Sequence, residues 1–388
     1  MSDAPLTRDG TNLPSEIELS GLAGTMDRIA AFDQWRGFIS HCEAETSRPA
    51  GPVQFINAGS GEEWFRHVHG LTGSVAELGL RLLDNVTVSG DGLLFLSGGL
   101  FPDTSEFGLI ARQHAEATGL SSAQLIRRER QVVPLDPVLV FLGPAYHMWG
   151  HWLLDYLPRL GLARAVLDNA LDNFVIPIPS DTPEFAVELI EKFIGIDRAR
   201  LLRFDQNRES LLCRRLALPS YTRSGDFLHS FVRKFYESIN KPTGPKLPTR
   251  LFVSRRIYQR GIRFDPHRIA NEVYFERCAE RMGFTVIEPE RLPILEQVAL
   301  FSGAKAIVGG CGSGMHNAIF ARPGTLVAQV GMPNARQSRI AALCEHRMIY
   351  LLPDGPAADP QSVGGITVST DMLDTFFETV ARELDAGI

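Results

Sequence analysis

The stretch His147-Met148-Trp149-Gly150-His151-Trp152-Leu153-Leu154-Asp155-Tyr156-Leu157-Pro158-Arg159 holds groups whose types and spacing could move a proton. His151 and Asp155 stand at i and i+4, so on a helix the carboxylate reaches back and orients the imidazole. A helix N-terminus favours a neutral imidazole, which is the form of a general base. The alternative is a His151 that caps the helix or fills the core. His147 and His151 are also four apart, but the glutamate of H-E-x-x-H is missing and Gly150 intervenes, which disfavours a metal pair. His67-Val68-His69 alternates as in a strand and offers no evident third ligand. Trp149, Trp152 and Tyr156 read as core residues before sugar-stacking platforms.

A second stretch, Val308 to Phe320, reads VGGCGSGMHNAIF. A β-prone run precedes it and a helix-compatible run follows, ending before Pro323. Strand, glycine turn and helix is how α/β proteins offer bare backbone N–H groups to an anion. In an open parallel sheet ligands bind beyond the carboxyl ends of the strands. That rule joins Gly310, Cys311, Gly312, Ser313 and Gly314 with Arg255 and Arg256, which end an earlier strand. Forked arginines and helix-start amides suit a diphosphate; the bland alternative is a tight turn and two solvated charges. The turn gives G-x-G-x-G without the third glycine of the dinucleotide fingerprint, and no Gly-Lys-Ser/Thr follows it. An ordinary dehydrogenase or kinase is therefore disfavoured. Arg268, Asn271 and Glu272 share one face of the helix expected after the Arg255 strand. Glu296 and Gln297 turn toward the same crevice or into solvent. The sequence contains no Asp-x-Asp, so a metal-bridged sugar-nucleotide site of that kind is not expected.

These groups need a scaffold, and the chain alternates strand and helix. Strands are expected at Val53–Asn57, Leu93–Leu96, Val138–Leu142, Phe174–Ile178 and Leu201–Phe204. Helices are expected at Glu106–Thr118, His151–Leu167 and Pro183–Ile194. Three prolines and a glycine within Ile239–Pro248 mark an interdomain linker. Beyond it the order is regular: strand 250–254, helix 267–282, strand 284–288, helix 293–302, strand 304–308, helix 314–321, strand 325–330, helix 335–344, strand 348–352 and helix 371–384. Such alternation means right-handed crossovers and a parallel sheet. The expected class is α/β, in three parts: residues 1–240, 249–370 and a terminal helix, 371–388.

At 388 residues, 44% hydrophobic and 22% charged, the chain can bury large cores unaided. A net charge of −6 offers no broad basic surface, so no nucleic-acid partner is expected. Five scattered cysteines without a C-x-x-C point to a reducing compartment, and the first residues lack the apolar core of a signal peptide. A cytoplasmic protein is expected.

Several of these pieces, in this order, resemble glycosyltransferase family 61. They are His151-Trp152-Leu153-Leu154-Asp155-Tyr156-Leu157-Pro158-Arg159-Leu160, Val253-Ser254-Arg255-Arg256, Arg268-Ile269-Ala270-Asn271-Glu272, Gly283-Phe284 with Pro289-Glu290, Glu296-Gln297, and Gly312-x-Gly314 through Asn317 and Phe320 to Pro323-Gly324-Thr325. They span roughly residues 137–331. The resemblance implies a GT-B fold, two Rossmann-like domains facing across a cleft, and inverting transfer from a nucleotide-sugar donor to a glycan or other hydroxyl acceptor. It also implies no cofactor beyond that donor, no required metal, and a last helix that returns to the N-terminal domain. A lipid-linked acceptor would bring the protein to the inner face of a membrane. Carried onto this chain, the donor set is Arg255, Arg256, Arg268, Asn271, Gly310–Gly314, Asn317, Glu296 and Gln297. The catalytic candidates are His151 with Asp155, and Glu272. Two positions depart from the family pattern: Cys311 replaces a loop histidine, and Met148 stands where asparagine is common. A non-catalytic sugar-nucleotide or glycan binder, or a sugar-nucleotide epimerase or hydrolase, are the other readings.

Overall fold

The computed structural model describes residues 37–90, 92–96, 99–101, 131–135, 137–143, 145–239, 247–256, 269–331, 335–353 and 367–386. The expected helix at Glu106–Thr118 lies outside them. Two compact units result: one takes the chain up to Glu45 and Val75–Gly225, the other Thr46–Ser74 and Asp226 onward.

After β1 (Gly37–Cys42), the chain leaves for the second unit through β2 (Val53–Ile56) and α1 (Glu62–Gly70). The first unit resumes with β3 (Leu78–Ser89), β4 (Leu93–Leu96), β5 (Gln131–Leu135) and β6 (Val138–Leu139). A turn at Trp149–His151, a π-helical turn at Trp152–Tyr156 and α2 (Leu157–Leu167) follow. Then come β7 (Ile176–Pro179), α3 (Glu184–Leu189), β8 (Leu201–Phe204) and β9 (Glu209–Pro219). The long strands β3 and β9 run antiparallel from Ser89↔Ser210 to Leu80↔Pro219, with β1 and β4 antiparallel to β3. On its other side β9 is parallel to β5 and β6. Val138 bridges Val175 in parallel, and β7 is parallel to β8. A parallel layer β8-β7-β6-β9 thus grows out of an antiparallel ribbon. This corrects the expectation of a wholly Rossmann-like first half. Both faces of the ribbon are largely buried, so β3 lacks the alternation that would have marked it as a strand.

The second unit matches its expected alternation. α4 (Ser230–Ser238) leads to β10 (Arg250–Val253), α5 (Glu272–Arg281), β11 (Thr285–Ile287), α6 (Ile294–Gly303) and β12 (Ala306–Gly310). A 3-10 helix at Ser313–Phe320, β13 (Leu326–Val330), α7 (Ala335–Cys344), β14 (Arg347–Leu351) and α8 (Thr370–Ala386) complete it. All six strands are parallel in the order β11-β10-β12-β13-β14-β2. The strands β12 and β13 are buried at every position, which is why they read as continuous apolar runs.

Two expectations change here. The Val53–Ile56 strand, assigned to residues 1–240, closes the edge of the second unit's sheet beside β14. The last helix, expected against the N-terminal domain, packs inside the second unit. Its Leu373, Phe376, Phe377, Val380 and Leu384 form one apolar stripe at helical spacing. That stripe joins Phe252 and Phe275 in a core whose rings meet at 4.6 Å (Phe252 and Phe275) and 5.6 Å (Phe275 and Phe377). Glu383 fastens the helix's far end, 3.5 Å from Arg347 and accepting a hydrogen bond from Gln54 of β2. The proline-rich segment falls mostly in residues 240–246, outside the described range, and the division between units comes earlier, at Gly225.

Candidate active site

In the first unit the chain passes outward from β6 through β7 to β8, then returns to β6's other side as β9. The strand order therefore reverses between β6 and β9, and beyond their carboxyl ends is where such sheets bind ligands. His151 and Asp155 lie just past β6. Asp155 is completely buried, and its Oδ2 lies 2.6 Å from His151 Nδ1, while His151 keeps part of its surface open. The helix widens to a π turn over Trp152–Tyr156, one turn before Pro158, which has no N–H to continue an α-helical ladder.

The other oxygen of Asp155 meets a residue that sequence reasoning missed. Arg223, just after β9, donates its Nε to Asp155 Oδ1 and its Nη1 to the Gly225 carbonyl. Burial alone would raise the Asp155 pKa; the His151 hydrogen bond and the Arg223 guanidinium outweigh it and hold the carboxyl below its ordinary value. No local signal announces Arg223, because its partner is 68 residues away. Arg159 ties the two strand ends together: it donates to the Phe141 carbonyl after β6 and, at 3.0 and 2.8 Å, to the Pro219 carbonyl of β9. Its guanidinium also lies 3.9 Å from the Tyr221 ring centroid. Trp152 and Tyr156 are fully buried against Phe141, as core residues. His67 and His69 lie on α1, not on a strand.

In the second unit the strand order reverses between β10 and β12, and the glycine turn and Arg255 stand at those two strand ends. Arg255 is nearly buried; its Nη1 donates to the Cys311 carbonyl, and its backbone N–H donates to Glu272 Oε1 at 2.7 Å. Gly310, Cys311, Gly312, Arg255 and Glu272 are thus one cluster. Each glycine has its own reason. A Cβ on Gly309 would sit 2.9 Å from the Val253 carbonyl oxygen, and one on Gly310 2.9 Å from Ile269. At Gly312, with φ 156° and ψ 170°, a Cβ would overlap the Arg255 guanidinium. Gly309 is therefore held to glycine by the Val253 backbone, Gly310 sits against the end of the Ile269 side chain, and Gly312 lies under the arginine laid across it. Gly312, Ser313 and Gly314 remain partly open to solvent, and the 3-10 helix that they begin has no side-chain cap.

The remaining candidates divide. Glu272 is buried, and burial raises its pKa; what the structure gives it is the anchoring of β10's end. Asn317 and Gln297 are buried and paired at 3.2 Å behind the turn. Asn271 hydrogen-bonds the Val368 backbone, and Arg256 pairs with Glu276 at 2.9 Å. Glu296 is exposed and lines a groove of about 390 Å³ with Leu247, Pro248, Thr285 and Glu288, apart from the residues of the turn. Arg268 lies outside the described residues.

The family model described as Glycosyltransferase 61 matches residues 149–328. The match begins at Trp149, includes Arg223, Arg255 and the glycine turn, and nearly coincides with the stretch whose motifs resemble that family. No curated protein matches the chain. Residues 149–328 belong to glycosyltransferase family 61, and transfer of a sugar from a donor to a glycan acceptor is the class of activity that this membership supports.

Proposed function

We propose that the chain is an inverting, metal-independent glycosyltransferase. It takes a sugar from a nucleoside diphosphate donor, UDP first among the candidates, to a hydroxyl of a glycan or glycoconjugate in surface polysaccharide synthesis. It works in the cytoplasm, or at the inner face of a membrane when the acceptor is lipid-linked. The observation that carries this reading is the Arg255 guanidinium held across the glycine turn at a strand-order reversal. In this reading the second unit binds the donor, and its Arg255 and the amides of Gly312–Gly314 stabilise the charge of the departing diphosphate. His151 takes the proton of the acceptor hydroxyl at Nε2. The new bond from that oxygen to the anomeric carbon forms as the carbon–phosphate oxygen bond breaks, and its electron pair leaves with the diphosphate.

The test is a panel of nucleotide sugars followed by nucleotide release, beside calorimetric titration with nucleoside diphosphates. Release that depends on an acceptor, and binding that Arg255→Ala weakens, are expected. Binding without release from any donor would support a non-catalytic binder, and an altered sugar nucleotide without acceptor an epimerase.

A further inference from the structure

A buried aspartate can serve a histidine in two ways. As an anion it accepts the Nδ1 proton and leaves Nε2 as the base. As a neutral acid it donates to Nδ1, puts the imidazole proton on Nε2, and removes the base. Asp155 is fully buried, a setting that by itself favours the neutral acid. The opposing influence is Arg223. Its Nε points at Oδ1, and its Nη1 is anchored on the Gly225 carbonyl, so the guanidinium is held side-on to the carboxylate. A guanidinium can only donate. Oδ1 therefore accepts, and the adjacent positive charge disfavours a proton on Oδ2, 2.6 Å from His151 Nδ1, so that oxygen accepts as well.

We propose that Arg223 is a positioning residue: it keeps Asp155 an obligate anion and thereby fixes His151 as the Nδ1–H tautomer, whose Nε2 receives the acceptor proton. This rests on the proposed role of His151. Among the described residues, Arg159, Tyr156 and Tyr221 are further ionisable groups that bear on the cluster. Burial pushes the Tyr156 phenol up, so it stays neutral and does not compete as an anion. Arg159 is engaged with the Phe141 and Pro219 carbonyls. Among the described residues, Arg223 is the cation that donates a hydrogen bond to Asp155.

The experiment is nitrogen-15 NMR of histidine-labelled protein, which reads the protonated nitrogen of each neutral imidazole directly; His151→Gln assigns the signal. Wild type should carry its proton on Nδ1 of His151. In Arg223→Gln the signal should move to a mixture containing the Nε2–H form, and Arg223→Lys should restore much of the original state. Partners that orient a metal-ligating histidine are typically worth about 10–100-fold in affinity or activity, and the same scale is taken for this imidazole. Arg223→Gln should therefore lower kcat by about that factor with little change in the donor KM. An Nε2–H tautomer in wild type overturns the proposal without any variant, so it stays testable if Arg223→Gln fails to fold. A folded Arg223→Gln protein with the wild-type tautomer overturns it too, even if turnover falls. Failure of the broader reading looks different: the tautomer would respond as expected while His151→Ala kept full transfer.

Discussion

Acidification should weaken the second unit through two buried histidines far in sequence from the proposed chemistry. His69 on α1 lies 2.8 Å by Nδ1 from Ser338 Oγ, which in turn lies 2.9 Å from the Tyr350 hydroxyl. Burial, helped by the nearby Arg339, lowers its pKa from 6.5 to about 4. His346, just before β14, is completely buried, and burial with the Arg233 charge lowers it to about 3. Between these values and 6.5 the unfolded chain binds protons that the folded one refuses, so stability is full above 6.5 and falls as the pH drops. Each proton is worth about 1.4 kcal/mol per pH unit. At about pH 5 each histidine has therefore removed about 2 kcal/mol, about 4 together, a large part of a typical 5–15 kcal/mol. Glu272, raised by burial, works in the opposite direction, so about 4 kcal/mol is an upper figure. Urea unfolding followed by circular dichroism at a series of pH values measures the loss, and histidine NMR titrations measure the two pKa values. His69→Gln removes one titrating group and keeps a side chain able to bond Ser338, so it should halve the pH-dependent loss. Constant stability between neutral pH and about pH 5, or a His69 that titrates near 6.5, would refute the reasoning.

Arg255→Ala should stay folded and lose about 30- to 5,000-fold in nucleoside diphosphate affinity by calorimetry, the usual result of removing one partner of a buried charge pair. Gly312→Val should produce the same loss by displacing that guanidinium, and undiminished affinity in both would make the turn purely structural. His151→Ala should lower kcat by about 10²–10⁴-fold while nucleotide binding survives; wild-type turnover would pass the role of base to another residue, with Glu272 the first alternative. Gly309→Ala should cost about 1–3 kcal/mol in urea unfolding, because its methyl would press on the Val253 carbonyl. EDTA should leave transfer intact; loss restored by manganese or magnesium would overturn metal independence.

What the sequence disclosed follows how local each feature is. The His151–Asp155 contact was legible because four residues on a helix bring the two groups together whatever else the chain does. The regular β/α alternation after residue 249 was legible because fully buried parallel strands are short apolar runs between amphipathic helices. The meeting of Arg255 with the glycine turn needed one further rule, that parallel strands share a carboxyl edge, and the structure adds the hydrogen bond to the Cys311 carbonyl. Where pairing is distant the signal disappears. Val53–Ile56 is a four-residue parallel edge strand whose partner lies near residue 350, and nothing in its composition says which sheet it completes. The β3–β9 ribbon is built from segments more than a hundred residues apart and buried on both faces, so periodicity does not find it. Arg223 belongs to the same class. It reaches Asp155 only because that ribbon's second strand ends beside β6, so the partner that hydrogen-bonds the legible pair is delivered by the least legible part of the fold. A search of sequence motifs therefore tends to find contacts made along one helix and to miss the partner that a distant strand delivers to them.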